Sequence, residues 1–368
     1  MSISFKNTFY VLACLAGFIL LLHVGRPVLV SFSIAFLISL ILYPVCKKLE
    51  KWGFSRIMAA ITTLLAVTGV IVGIFYGFSS QIISLTSEFS DFGQKLRELL
   101  SKVVVFVNNN VSILPNIKEE DIIQKGAEWF KKSGGDIVSD TFSQTASLIS
   151  GLIMVAVYTF LLLIYRTGLK EVLIQASRSD YNEKISEMIS EIQKIGQQYL
   201  VGMGIMIVVL GVLYSLALLL VGIDHPFFFG FLASLLAIIP YVGTTIGATI
   251  PTLYAFMTSD SYWVPLGVVF SFWAVQFLEN NFLNPKIVGG NLDLNALAAI
   301  LSLIIGGFLW GVAGMAVFLP LTAILRVFCS YFDQLKPVSL FLGEELFESK
   351  KEDKLEQMKN KISKIFKR

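Results

Sequence analysis

Between residues 200 and 325 only five acidic or basic side chains occur: Asp224, Asp260, Glu279, Lys286 and Asp293. Four stand near the ends of apolar runs, where an interface would lie. Glu279 closes the apolar run 262–278 and leads Asn280, Asn281 and Asn284, with Pro285 and Lys286 beside them. An ionisable group at membrane depth is expensive and is usually retained for function. A carboxylate among amide oxygens can hold a proton, a sodium ion or the hydroxyls of a solute. It can equally cap a helix or meet an interface, and the residue types leave both readings open. Gln276, three residues earlier on the same helix face, would share the role of Glu279.

Two apolar stretches flank this polar bend. Residues 227–257 have Pro240-Tyr241-Val242-Gly243 at their middle, and residues 296–328 are interrupted at Gly306-Gly307 and Gly311. A single helix over the first would run about 46 Å, against about 30 Å of bilayer core. That is too long for one straight span and too short for two. Two half-helices in each stretch fit the length, with tips at Pro240, Tyr241 and Gly243 and at Gly306, Gly307 and Gly311. Gly243 leads to Pro251 much as Gly311 leads to Pro320, so the pair reads as an inverted repeat. Such repeats hold their sites at broken helices near the midplane, where unsatisfied backbone groups must face protein, water or ligand.

The elements that must position these residues follow from composition. Hydrophobic residues make up 55% of the chain and charged residues 15%, against about 25% charged in a soluble domain. The expected fold is all-α, a polytopic bundle of six full spans and two inverted re-entrant hairpins, with eight full spans as the alternative. The full spans are expected near 8–24, 27–45, 57–79, 147–165, 200–221 and 262–278, with Gly25-Arg26-Pro27 a tight turn between the first two. Lys47, Lys48, Lys51 and Arg56 against Glu50 place the 46–56 loop in the cytoplasm, and both termini with it. Five regions result: a three-span unit (1–79), an extracytoplasmic amphipathic insert (80–146), a fourth span with a charged helix (147–199), a transport core (200–330) and a basic amphipathic tail (331–368). The tail pattern Leu355, Met358, Ile362, Ile365 and Phe366 suits an anionic leaflet.

Several classes fall away. A net charge of +3 gives no field for nucleic acid. Cys14, Cys46 and Cys329 are scattered and form neither a disulfide framework nor a metal site, and no cofactor is called for. His23 and His225 stand alone, without the paired motifs of an intramembrane enzyme. No phosphate-binding glycine loop is present, so ATP-driven transport by this chain is not expected. A cleaved leader is not expected either, because the chain stays apolar after Cys14.

The segments Leu236 to Gly243, Glu279 to Gly289 and Gly306 to Leu321 resemble the autoinducer-2 exporter family of bacterial membrane proteins, and the likeness covers nearly the whole chain. It implies a secondary-active inner-membrane permease, not an enzyme, that exports a small polar molecule such as autoinducer-2 on an ion gradient. The alternative that it carries is a sodium or lithium ion/proton antiporter. It also implies a homo-oligomer of the pentameric kind, with a transport domain moving in the elevator manner. Expected partners are therefore the lipid bilayer, a small polar solute or monovalent cation, and further copies of the chain.

Overall fold

A computed structural model describes residues 5–88, 150–177, 181–240, 242–259, 261–288 and 292–344. Most of the amphipathic insert and the basic tail beyond 344 lie outside the described residues. Helix is the regular structure throughout; the β pairing among the described residues is an isolated bridge between Leu294 and Gly343. In chain order the helices are α1 (Phe5–Val24), α2 (Arg26–Lys51), α3 (Arg56–Glu88), α4 (Ser150–Gln175), α5 (Asn182–Val221), α6 (Pro226–Leu236), α7 (Val242–Thr258) and α8 (Trp263–Leu278). After α8 come a π turn (Glu279–Leu283), α9 (Asn284–Ile287), α10 (Ala296–Ser330) and α11 (Lys336–Leu342).

Stretches of α2, α3, α4, α5 and α10 are long and apolar enough to cross a membrane. Their outer faces leave Val70, Phe75, Leu152, Ile153, Val208 and Leu220 exposed. Water would penalise so much apolar surface, whereas lipid does not. Backbone hydrogen bonds close within each helix, as a membrane-spanning chain requires.

The chain forms two compact units, each discontinuous in sequence. One comprises Met1–Leu64, Met154–Met206 and Asn280–Arg368. Its core joins Leu37 and Leu40 of α2 to Leu309, Trp310 and Val317 of α10. Thr159 of α4 reaches the Ala35 carbonyl at 3.5 Å, and Gly196 of α5 leaves room for Leu40. The other unit comprises Leu65–Ile153 and Ile207–Glu279. There Gly211 of α5 admits the ring of Phe231, and the backbone at Gly230 of α6 lies against Ser215.

Three features differ from the sequence expectation. Gly25-Arg26-Pro27 is a bend and not a reversal. Gly25 N–H bonds the Leu21 carbonyl at 2.8 Å, Leu29 N–H bonds the Gly25 carbonyl at 2.9 Å, and Gly25 keeps a near-helical φ of −75°. Pro27 lacks an N–H, so the helical ladder is interrupted there while the chain runs on. Two antiparallel spans do not meet at this point, and the side of the N-terminus no longer follows from the 46–56 loop. Next, α4 runs through Arg166 to Gln175. Finally, α5 is one helix of 40 residues, about 60 Å long, and runs unbroken across the expected boundary at 199–200. Its charges gather in the first third, and its apolar part is continuous with them.

Both central stretches fold back as helical hairpins. In the first, a side chain at Gly247 of α7 would lie 3.0 Å from Ala233 of α6, and Gly243 touches the Leu236 carbonyl so closely that no side chain fits. In the second, α10 breaks at Gly311, with φ +65° and ψ −144°. Ser302 Oγ donates to Thr322 Oγ1 at 2.8 Å, although these residues would stand about 30 Å apart on a straight helix. The 35 residues of α10 are therefore two antiparallel arms. Gly306 and Gly314 bring the arm backbones into contact, and Gly307 faces Met315. Gly306 and Gly307 are not at the tip as the spacing suggested. They lie in the first arm, where the absent side chain permits close approach.

Candidate functional site

The polar bend begins where α8 passes into the π turn. Pro285 explains the change of register. In an α-helix its ring would meet the Asn281 carbonyl and its missing N–H would leave that carbonyl unbonded. Widening the turn just before the proline relieves both. Single π turns of this kind are frequent at functional sites. The α9 segment that follows is held by close approach: a side chain at Gly202 would lie 2.8 Å from the Ile287 carbonyl. Gly202 thus serves packing.

Within the second unit, Gln276, Glu279 and Tyr214 form one polar group in apolar surroundings. Gln276 Nε2 donates to Glu279 Oε2 at 2.8 Å. The Tyr214 hydroxyl donates to Gln276 Oε1 over a longer 3.5 Å. Tyr214 is 2% exposed, and its ring stacks on Phe272 with centroids 4.5 Å apart. The amide is thereby oriented, nitrogen toward the carboxylate and oxygen toward the phenol. Glu279 is half-buried, and its other oxygen, Oε1, accepts no hydrogen bond among the described residues. This arrangement fixes one carboxylate oxygen and leaves the other available to a proton, a cation or a hydroxyl donor.

The structure thus brings Gln276 and Glu279 together as the spacing implied, and adds Tyr214. That tyrosine interrupts the apolar run of α5, MIVVLGVLYSLALLLV, which was a usable signal. Asn280, Asn281, Asn284 and Pro285 follow along the π turn and α9 and are exposed. Of the hairpin positions, Pro240 lies in the first turn, Tyr241 is outside the described residues, and Gly243 opens α7. Gly311 is the tip of the second hairpin. Beside it stands Arg26, whose Nη2 would lie 3.4 Å from a side chain at Gly311. The indole N–H of Trp310 donates to the Leu22 carbonyl at 3.0 Å, a carbonyl whose helical partner would be the Arg26 N–H across the bend between α1 and α2. His225, with φ +56°, meets Gln81 at 2.8 Å. No cluster of three or more potential metal-ligating side chains occurs among the described residues.

Comparison with known proteins places these features. A sequence profile described as "AI-2E family transporter" matches residues 12–333. The chain is 24% identical over 314 residues to "Putative transport protein YrrI" of Bacillus subtilis (strain 168), covering 83% of this chain and 87% of that protein. It is 22% identical over 358 residues to "Putative transport protein YhhT" of Escherichia coli (strain K12), covering 92% and 95%. It is also 22% identical over 308 residues to "AI-2 transport protein TqsA" of the same strain, covering 82% and 86%.

Proposed function

The chain belongs to the AI-2E transporter family, and from that membership we propose that it is a secondary-active exporter of a small polar molecule, autoinducer-2 being the first candidate, driven by an ion gradient. The observation that carries this reading is the oriented Tyr214–Gln276–Glu279 group. It supplies one accessible carboxylate oxygen at the end of an otherwise apolar helix. A transporter coupled to a cation needs a group that exchanges a proton or ion for solute, and a carboxylate can do so. The similarity to a protein named for AI-2 transport supports the solute.

The two hairpins support a re-entrant arrangement. The 11 residues of α6 reach about 16 Å, roughly half of a bilayer core. The first arm of α10, residues 296–310, reaches about 22 Å. In this reading they are inverted half-repeats whose tips approach the midplane, in a homo-oligomer of the bacterial inner membrane with the C-terminus cytoplasmic.

A second reading, a sodium or lithium ion/proton antiporter, draws on the same carboxylate. Proteoliposomes separate the two. Labelled autoinducer-2 loaded inside should leave faster with an imposed proton or sodium gradient than without one, and faster than from protein-free vesicles. Cation-dependent proton flux with no solute efflux would favour the antiporter instead.

A further inference from the structure

The other charged cluster of the described chain lies where α2, α3 and α4 meet, in the first unit. Glu50 is its acidic member. Arg166 of α4 engages it through Nη2, which donates to both carboxylate oxygens at 2.6 and 2.5 Å. The remaining nitrogen, Arg166 Nη1, is buried without a hydrogen-bond partner. Around this pair stand Lys47, Lys48, Lys51 and Arg56, all exposed. None has a carboxylate within ion-pair reach among the described residues.

Aromatic rings and one carbonyl hold these cations in place. Lys47 Nζ lies 5.8 Å from the centre of the Tyr43 ring, and the Arg166 guanidinium lies 5.1 Å from the same ring. Arg56 Nη1 donates to the Ile164 carbonyl of α4 at 3.4 Å, half a turn from Arg166. Lys48 sits 5.6 Å from the Trp52 ring centre. Lys51 follows Lys47 by one turn on the same face of α2. One carboxylate, already engaged, therefore faces five cations, and the corner retains a strong positive field.

Its surroundings define what would neutralise it. Trp52, Phe54, Ile57 and Met58 are exposed beside the cations, and Tyr165 is exposed on α4. The apolar faces of α2 and α3 continue away from them. Cations at the end of apolar helices, interleaved with exposed aromatics, match the headgroup level of a bilayer. A soluble anion would use the charges and leave the apolar rim wet. A phospholipid uses both.

We propose that this corner is a binding site for an anionic phospholipid, its phosphate held by Lys47, Lys51 and Arg56 and its acyl chains lying along Ile57 and Met58. Arg166 and Glu50 form the floor of the site. The occupant is a lipid of the leaflet that meets this end of the bundle, and attraction to it falls with salt.

The test uses the full chain purified in detergent and offered phosphatidylglycerol and phosphatidylcholine with matched acyl chains. Native mass spectrometry counts the retained lipids. The wild type should retain phosphatidylglycerol over phosphatidylcholine by at least about tenfold, since each basic group near a lipid surface contributes a several-fold preference. Combined Lys47→Gln, Lys51→Gln and Arg56→Gln should bring the ratio near one. Lys47→Arg with Lys51→Arg, which keeps the charge, should preserve it, as should Lys194→Gln on α5. Lys51→Gln alone, a single exposed change, should lower the ratio measurably without loss of the monodisperse peak. Equal retention of the two lipids by wild type, or an unchanged ratio in the triple variant, would overturn the proposal. So would displacement of the lipid by an equal concentration of glycerol phosphate, which would assign the corner to a free phosphate ligand.

Discussion

At the residue scale, three residues do work that their neighbours could not. Trp310 donates its indole N–H to a carbonyl at the α1–α2 bend. Replacing it with Phe keeps the ring but leaves the Leu22 carbonyl unsatisfied, at a cost of about 1–3 kcal/mol; thermal unfolding in detergent should show the loss. Tyr214→Phe removes a hydrogen bond that is already long, so stability should fall by less than about 1 kcal/mol. Transport should fall several-fold, because the Gln276 amide loses a contact that helps orient it. Gly311→Ala forces a side chain into φ +65°, ψ −144°, a glycine region, costing about 1–3 kcal/mol, and should lower the unfolding temperature without touching the carboxylate. Glu279 and Gln276 were legible from charge sparsity and spacing. Tyr214 was not singled out, because an aromatic within an apolar run reads as packing until its hydroxyl is seen to have a partner.

At the scale of elements, the hairpins decide how the chain uses its length. A 35-residue apolar helix and two short antiparallel arms share one composition, so hydropathy cannot separate them. Length arithmetic could, and it pointed to a break. The exact break was harder to read. Three glycines compete within six residues, and only Gly311 takes a positive φ, while Gly306 and Gly307 let the arms touch. The bend at residues 25–27 misled in the opposite sense. Glycine and proline mark a turn, yet proline is also tolerated in the first turn of a helix, and here α2 begins on it. Likewise α5 runs across the expected boundary at 199–200, where Gly202 and Gly204 cost a helix only about 1 kcal/mol each. The second hairpin can be tested directly. Cysteines at 302 and 322, in a background lacking Cys14, Cys46 and Cys329, should cross-link under mild oxidation. A straight helix would hold them about 30 Å apart, and absence of the cross-link would contradict the folded arms.

At the scale of the whole molecule, the chain is a multi-pass transporter of the AI-2E family, and the proposal gives Glu279 the part of binding and releasing. Family and class were legible in composition and in the segments around Pro240, Glu279 and Gly311. The side of the N-terminus was not, because it rested on a reversal at Gly25 that the helix does not make. The central claim is that Glu279 takes part in moving the solute. It is tested most directly by gradient-driven efflux from proteoliposomes holding equal amounts of wild type and Glu279→Gln. The glutamine keeps the shape and can still accept from Gln276, so the variant should fold and reconstitute like the wild type. Its efflux should fall at least about tenfold, which corresponds to about 1.4 kcal/mol or more in the rate-limiting step. Efflux at the wild-type rate, from a variant that reconstitutes equally well, would contradict the account.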